Sequence, residues 1–184
     1  MKKVLFVLVL MLSAGIIANA QFKFGIKAGA NFAGINDDDT DMKTGVTAGV
    51  LGQFKFSERW AIQPEVLFNM QGAKYKSGST KIDWKFNYVA IPVMVQFYII
   101  DGLSVEIGPQ FGILVSAERN DTDVKDYTES FEASIGTGVA YELSNVPVGF
   151  FARYTAGLTE INSSSALGTN LKNYAFQLGA FVKL

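Results

Sequence analysis

The sequence predicts an all-β protein, an eight-stranded antiparallel up-and-down transmembrane β-barrel. Three observations predict it. Apolar and polar residues alternate with period two in eight separate segments. The connections between those segments alternate in strict order, four long and three short. One face of each segment is bulky and apolar, whereas the other is small or polar.

Residues 1–20 read as a leader and residues 21–184 as the barrel domain. Lys2 and Lys3 form a positive start, Val4 to Leu12 an apolar run, and Ala18-Asn19-Ala20 the small-x-small form that signal peptidase accepts. The run is too short to span a bilayer comfortably as a helix, so a secreted chain beginning at Gln21 is expected. No Cys follows Ser13, which removes a lipoprotein anchor. Without Lys2 and Lys3 the chain keeps 14 basic and 17 acidic residues, a net charge of −3. That balance gives nucleic acid no basic patch.

The first strand sets Phe22, Phe24, Ile26, Ala28, Ala30 and Phe32 against Lys23, Gly25, Lys27, Gly29 and Asn31. The second, about Thr44 to Phe56, sets Val46, Ala48, Val50, Phe54 and Phe56 against Thr47, Gly49, Gln53 and Lys55. The third, Trp60 to Gln71, opposes Ile62, Val66, Phe68 and Met70 to Gln63, Glu65 and Asn69. The fourth, about Phe86 to Ile99, carries Val89, Ile91, Val93, Val95 and Phe97, and is blurred by Met94 and Tyr98 on its other side. The fifth opposes Val105, Ile107, Phe111, Ile113 and Val115 to Ser104, Glu106, Gln110 and Ser116. The sixth, Phe131 to Tyr141, opposes Ala133, Ile135 and Val139 to Glu132, Ser134, Gly136 and Gly138. The seventh opposes Val148, Phe150, Ala152, Tyr154 and Leu158 to Gly149, Arg153 and Thr155, and the eighth opposes Tyr174, Phe176, Leu178, Ala180, Val182 and Leu184 to Gln177, Gly179 and Lys183. Short turns are expected at Ser57–Arg59, Asp101–Gly102 and Leu143–Val146. Long loops are expected at Gly34–Lys43, Gly72–Trp84, Ala117–Ser130 and Thr159–Lys172.

The two faces decide between a membrane barrel and a soluble one of lipocalin type. An eight-stranded lumen is only wide enough for side chains to fill. Small and polar residues suit that interior, and bulky apolar residues suit lipid. Aromatics gather near strand ends: Phe54, Trp60, Phe97, Tyr141 and Phe150 at one rim, and Phe32, Phe68, Phe111, Phe131 and Tyr174 at the other. Such girdles mark outer-membrane barrels, whose short turns are periplasmic. An outer-membrane location with both termini periplasmic is therefore expected.

Pro64, Pro92 and Pro109 fall inside strands. A closed barrel has no edge to shelter them, so each must sit at a bulge or a missing ladder bond. Around them, Gly25-Ile26-Lys27-Ala28-Gly29-Ala30-Asn31-Phe32, Gln63-Pro64-Glu65, Ile91-Pro92-Val93 and Gly108-Pro109-Gln110 resemble the small outer-membrane β-barrels called PorT-like porins. The resemblance covers residues 21–184 and implies an outer-membrane barrel. It also offers, as one alternative, a secretion-associated subunit. That family often has an acidic residue before Ile-Pro and a basic one four positions after the proline. Here Ala90 and Gln96 stand there, which removes an interior ion pair the resemblance implies. At the chain end, Gln177-x-Gly179-x-x-Val182-x-Leu184 resembles the signal read by the barrel-assembly machinery.

Lys27, Glu65, Glu106 and Arg153 are the inward ionisable residues expected to cluster at mid-barrel. Charge pairing in a lumen that must satisfy its own polar groups is the expected role, ahead of an ion gate. The chain has neither His nor Cys, so thiolate zinc sites and Ser-His triads are excluded. Glu65 and Glu106 offer a carboxylate pair, but nothing positions a substrate beside them. The Asp37-Asp38-Asp39 and Asp121, Asp123, Asp126 clusters offer oxygen ligands for Ca²⁺, yet they lack an EF-hand pattern and read as solvated loops. No cofactor and no catalysis are expected. The expected function is a structural or surface-interaction barrel, expected to be monomeric and in contact with outer-membrane lipid and lipopolysaccharide. The alternative is a narrow pore for small solutes or ions.

Overall fold

A computed structural model of the chain describes residues 21–36, 40–77, 80–119, 122–123, 130–159 and 172–184. The leader, the Asp37–Asp39 cluster, Asp121, Asp126 and most of the 159–172 loop lie outside the described residues. Eight strands build the barrel: β1 (Gln21–Ile35), β2 (Thr40–Lys55), β3 (Trp60–Ser77), β4 (Thr80–Ile100), β5 (Leu103–Arg119), β6 (Phe131–Glu142), β7 (Val148–Gly157) and β8 (Asn173–Lys183). Each pairs antiparallel with its sequence neighbour, and β8 closes the sheet on β1. A two-residue segment, Thr122–Asp123, folds back on Glu118 and Arg119.

The register fixes the shape. A circuit of pairing partners leaves β1 at Gln21 and passes through Lys55, Ala61, Gln96, Glu106, Gly138, Arg153 and Gln177. It re-enters β1 at Asn31, ten residues further on. Eight strands with that stagger tilt by about 45° and leave an interior that side chains fill.

The parity read from the sequence holds on every strand. Val66, Ile107, Ile113, Ile135 and Leu178 are exposed on the outer surface, Ile107 by 55%. In water such a belt would drive aggregation, whereas in lipid it is the favoured face. Phe22 and Phe54 pack at 4.7 Å and Trp60 and Phe97 at 4.8 Å toward the end holding the termini. Phe111 and Phe131 pack at 6.1 Å toward the other end.

Three loop expectations are corrected. The Gly72–Trp84 stretch is a continuation of the β3–β4 ladder, paired as far as Ser77 with Thr80. The Gly34–Lys43 stretch is mostly strand, since β1 reaches Ile35 and β2 starts at Thr40. The Ala117–Ser130 stretch begins inside β5, which runs to Arg119. Beyond the membrane both faces of a hairpin meet water, so apolar alternation stops while backbone pairing continues. The rim is uneven as a result: β2 to β5 have 16, 18, 21 and 17 residues, and β6 to β8 have 12, 10 and 11. At about 3.3 Å per residue and a tilt of about 45°, β4 rises about 50 Å, roughly twice the apolar band of a membrane barrel.

The prolines lie on three successive strands, each beside a gap in the ladder. Pairing skips from Leu51–Glu65 to Phe54–Ile62 at Pro64, from Pro64–Val93 to Leu67–Ala90 at Pro92, and from Pro92–Gln110 to Val95–Ile107 at Pro109. Both partners skip equally, so bonds are missing and the register is kept. That is the missing-bond form of the two expected. The short turn at Asp101–Gly102 uses Gly102 at φ +81°, a conformation that favours glycine.

Ile107 is the most direct check on the faces. Ile107→Arg should cost about 2–4 kcal/mol of stability in lipid, because it places a charge on the membrane face. Urea titration of vesicle-refolded protein measures this, and an unchanged midpoint would contradict the assignment.

Candidate functional site

The site lies inside the barrel, where strand parity turns inward residues toward one another. Arg153 on β7 pairs with Gly138 on β6, and Gly138 pairs with Glu106 on β5. The guanidinium reaches across β6, and Arg153 Cδ passes 3.6 Å from where a Cβ on Gly136 would stand. Its Nε donates to Glu106 Oε1 at 2.7 Å. Its two terminal nitrogens donate to the carboxylate oxygens of Glu65 across the lumen, both at 2.8 Å. This is the two-pronged pairing that a planar guanidinium forms and an ammonium cannot.

Lys27 also reaches across a strand. On β1 it pairs with Gly49 of β2, and its Nζ donates to Glu65 of β3 at 3.1 Å. The ammonium also lies 3.9 Å from the centre of the Phe151 ring. All four residues expected to cluster are therefore brought together, two cations against two carboxylates. Their side chains are at most 1% exposed, so all four charged groups are shielded from water. Buried ions are tolerated only when paired and hydrogen-bonded, and each of these four is.

The network continues toward the end with the termini. Gln63 donates to Glu65 at 2.7 Å and Gln96 to Glu106 at 3.2 Å. Gln53 donates to Gln96 at 2.6 Å and to the Tyr98 hydroxyl at 2.8 Å. Tyr98 donates to Glu142, which also accepts from Lys183 at 2.9 Å. The implied loss of an interior ion pair at Ala90 and Gln96 is thus made good. Gln96 supplies a neutral link, and the charges come from Lys27, Glu65, Glu106 and Arg153. Sequence reasoning missed Glu142, the last residue of β6 and one position beyond the expected strand end. Its inward parity with Glu132 was the available signal.

Toward the other end the lumen changes character. Glu132 accepts from Gln71 and Asn173, each at 3.4 Å. Beyond it Ile35, Phe86, Tyr88, Leu114 and Ala117 form a buried apolar cluster, with Trp84 packed against it. A second apolar cluster, Leu51, Ala140, Phe151 and Phe181, lies on the inward face nearer the termini. The interior is therefore less polar than the sequence suggested. Among the described residues no group of three or more acidic residues is placed to hold a metal ion. Glu65 and Glu106 are bridged by Arg153, which leaves neither free to exchange a proton with a substrate.

The model of the family described as outer membrane protein beta-barrel domain matches residues 17–163. Among solved structures, Ail, the attachment invasion locus protein of Yersinia pestis, is similar at 14% identity and a TM-score of 0.54, covering 91% of this chain and 100% of that one. Neisserial surface protein A is similar at 16% identity and a TM-score of 0.57, with coverage of 91% and 100%. At such identities the likeness is one of fold. No curated protein sequence matches the chain.

Removing the guanidinium tests the cluster. Arg153→Met leaves two buried carboxylates with Lys27 as their one remaining cation, and should lower unfolding stability by about 3–5 kcal/mol. Arg153→Lys should recover part of that loss. Urea titrations in vesicles measure both, and a loss below about 1 kcal/mol for Arg153→Met would show that the pairing is incidental.

Proposed function

The chain belongs to the outer membrane protein beta-barrel domain family, and on that premise we propose that it is a closed outer-membrane barrel of structural or surface-interaction type, without catalysis. The observation that carries this reading is the buried charge layer. The side chains of Lys27, Glu65, Glu106 and Arg153 are at most 1% exposed at mid-barrel, and the apolar cluster around Phe86 and Leu114 occupies the lumen beyond them. A barrel with a filled lumen acts through its outer wall and its rims rather than through a channel. The uneven rim supports display, because β3 and β4 extend well beyond the length a crossing strand needs.

The proposal places both termini in the periplasm, follows from reading residues 1–20 as a cleaved leader, and puts the tall β3–β4 hairpin outside. Lipid and lipopolysaccharide then contact the belt and the outer rim, and β8 carries the assembly signal of a monomeric barrel. Its barrel type is the PorT-like one that the segments around Pro64, Pro92 and Pro109 resemble. The secretion role that this resemblance offers has no supporting feature among the described residues. The narrow-pore reading is disfavoured by the same charge layer.

Planar-bilayer recording of the refolded protein tests the proposal. The expected result is no stable unit conductance. Reproducible single-channel steps from the unmodified chain would contradict a closed barrel.

A further inference from the structure

The end of the barrel that carries the termini opens into a cavity of about 300 Å³. Lys23 of β1, Glu142 of β6, Val148 of β7, and Phe181 and Lys183 of β8 line it, together with residues 143–147 of the turn between β6 and β7. Lys183 donates to Glu142 at 2.9 Å, and its ammonium lies 4.7 Å from the centre of the Phe181 ring. Lys23 stands 3.8 Å from the second oxygen of Glu142, beyond hydrogen-bond length, with its side chain 45% exposed. An ammonium has three donors, so both lysines keep donors to spare.

The lining holds two cations against one carboxylate. Lys55 is a third cation at this end, 4.3 Å from the centre of the Tyr98 ring whose hydroxyl donates to Glu142. The remaining charges at this end are Glu58, Arg59 and Asp101 on the other two turns and the α-carboxylate of Leu184, all outside the lining. Apolar walls from Leu143, Val146, Pro147 and Phe181 focus the surplus positive field within the cavity. Glu142 fixes where the two ammonium groups stand and does not cancel both.

We propose that this mouth is an anion site that takes a phosphate group between Lys23 and Lys183. Lysines bind phosphate as point charges, and a concavity of this size admits a phosphate with a small attached group. The phosphate could be free or could belong to a lipid headgroup at the rim, and both present the same oxygens to the lysines. The site is independent of whether the barrel conducts, since it lies on the terminal side of the charge layer.

The test uses the full barrel refolded in phosphate-free amine-oxide micelles, with inorganic phosphate titrated against chloride at constant ionic strength. Backbone amide spectra should show saturable shifts in residues 143–148, and Lys23→Gln should weaken binding about tenfold. A second arm titrates the same phosphate-free micelles with short-chain phosphatidylglycerol. Shifts of the same amides from that lipid alone assign a headgroup, and shifts from inorganic phosphate alone assign a free ligand. Either result supports the site. Absence of saturable shifts in both arms, or an equal response from Lys23→Gln, would overturn it.

Discussion

A strand in lipid can send its backbone hydrogen bonds only to another strand. That constraint closes the sheet, and the rest of the structure follows from the closure. Eight strands staggered by ten residues enclose a lumen too narrow for water to fill as a channel, so side chains fill it. Inward residues must then be apolar or satisfy one another. Arg153 solves the problem at mid-barrel by binding Glu65 and Glu106 together, and Lys27 completes the neutral set. Glycines at 49 and 138 lie where the strands approach closely: a Cβ would meet the Val66 carbonyl oxygen at 2.0 Å and the Ala152 carbonyl oxygen at 2.4 Å.

The parity of every strand was legible in the sequence, because lipid on one side and a packed lumen on the other enforce strict alternation. The membership of the charge cluster was legible for the same reason. Its wiring was not. That Arg153 forks onto Glu65 while its Nε takes Glu106 depends on register, and register depends on turn geometry and on the equal skips at Pro64, Pro92 and Pro109. Strand ends were the weakest reading. Gly72 to Ser77 looks like a loop because its composition is polar, yet above the membrane polarity no longer separates strand from loop. The inward Phe86 and Leu114 were equally hidden, since period two says which residues share a face and not how far along the axis the lumen stays polar.

The closed lumen also orders the functional readings. The centre of the barrel is occupied by paired charge, and one end of the lumen by an apolar cluster. The two rims are what the molecule presents to its surroundings. One rim is raised by the long β2 to β5 strands, and the other holds a small cavity with surplus positive charge. A barrel built this way is a rigid mount for two chemically different ends.

Everything inside the barrel turns on the Arg153 guanidinium being locked dry. Hydrogen exchange of arginine side chains in the lipid-embedded, arginine-labelled protein tests it most directly. Three arginines, Arg59, Arg119 and Arg153, provide the signals, and Arg59 on its exposed turn is the internal reference. In a closed barrel the Arg153 Nε–H signal persists in heavy water long after that of Arg59 has gone. Loss of both signals together would mean that water reaches the centre of the lumen, and the closed-barrel account would fail.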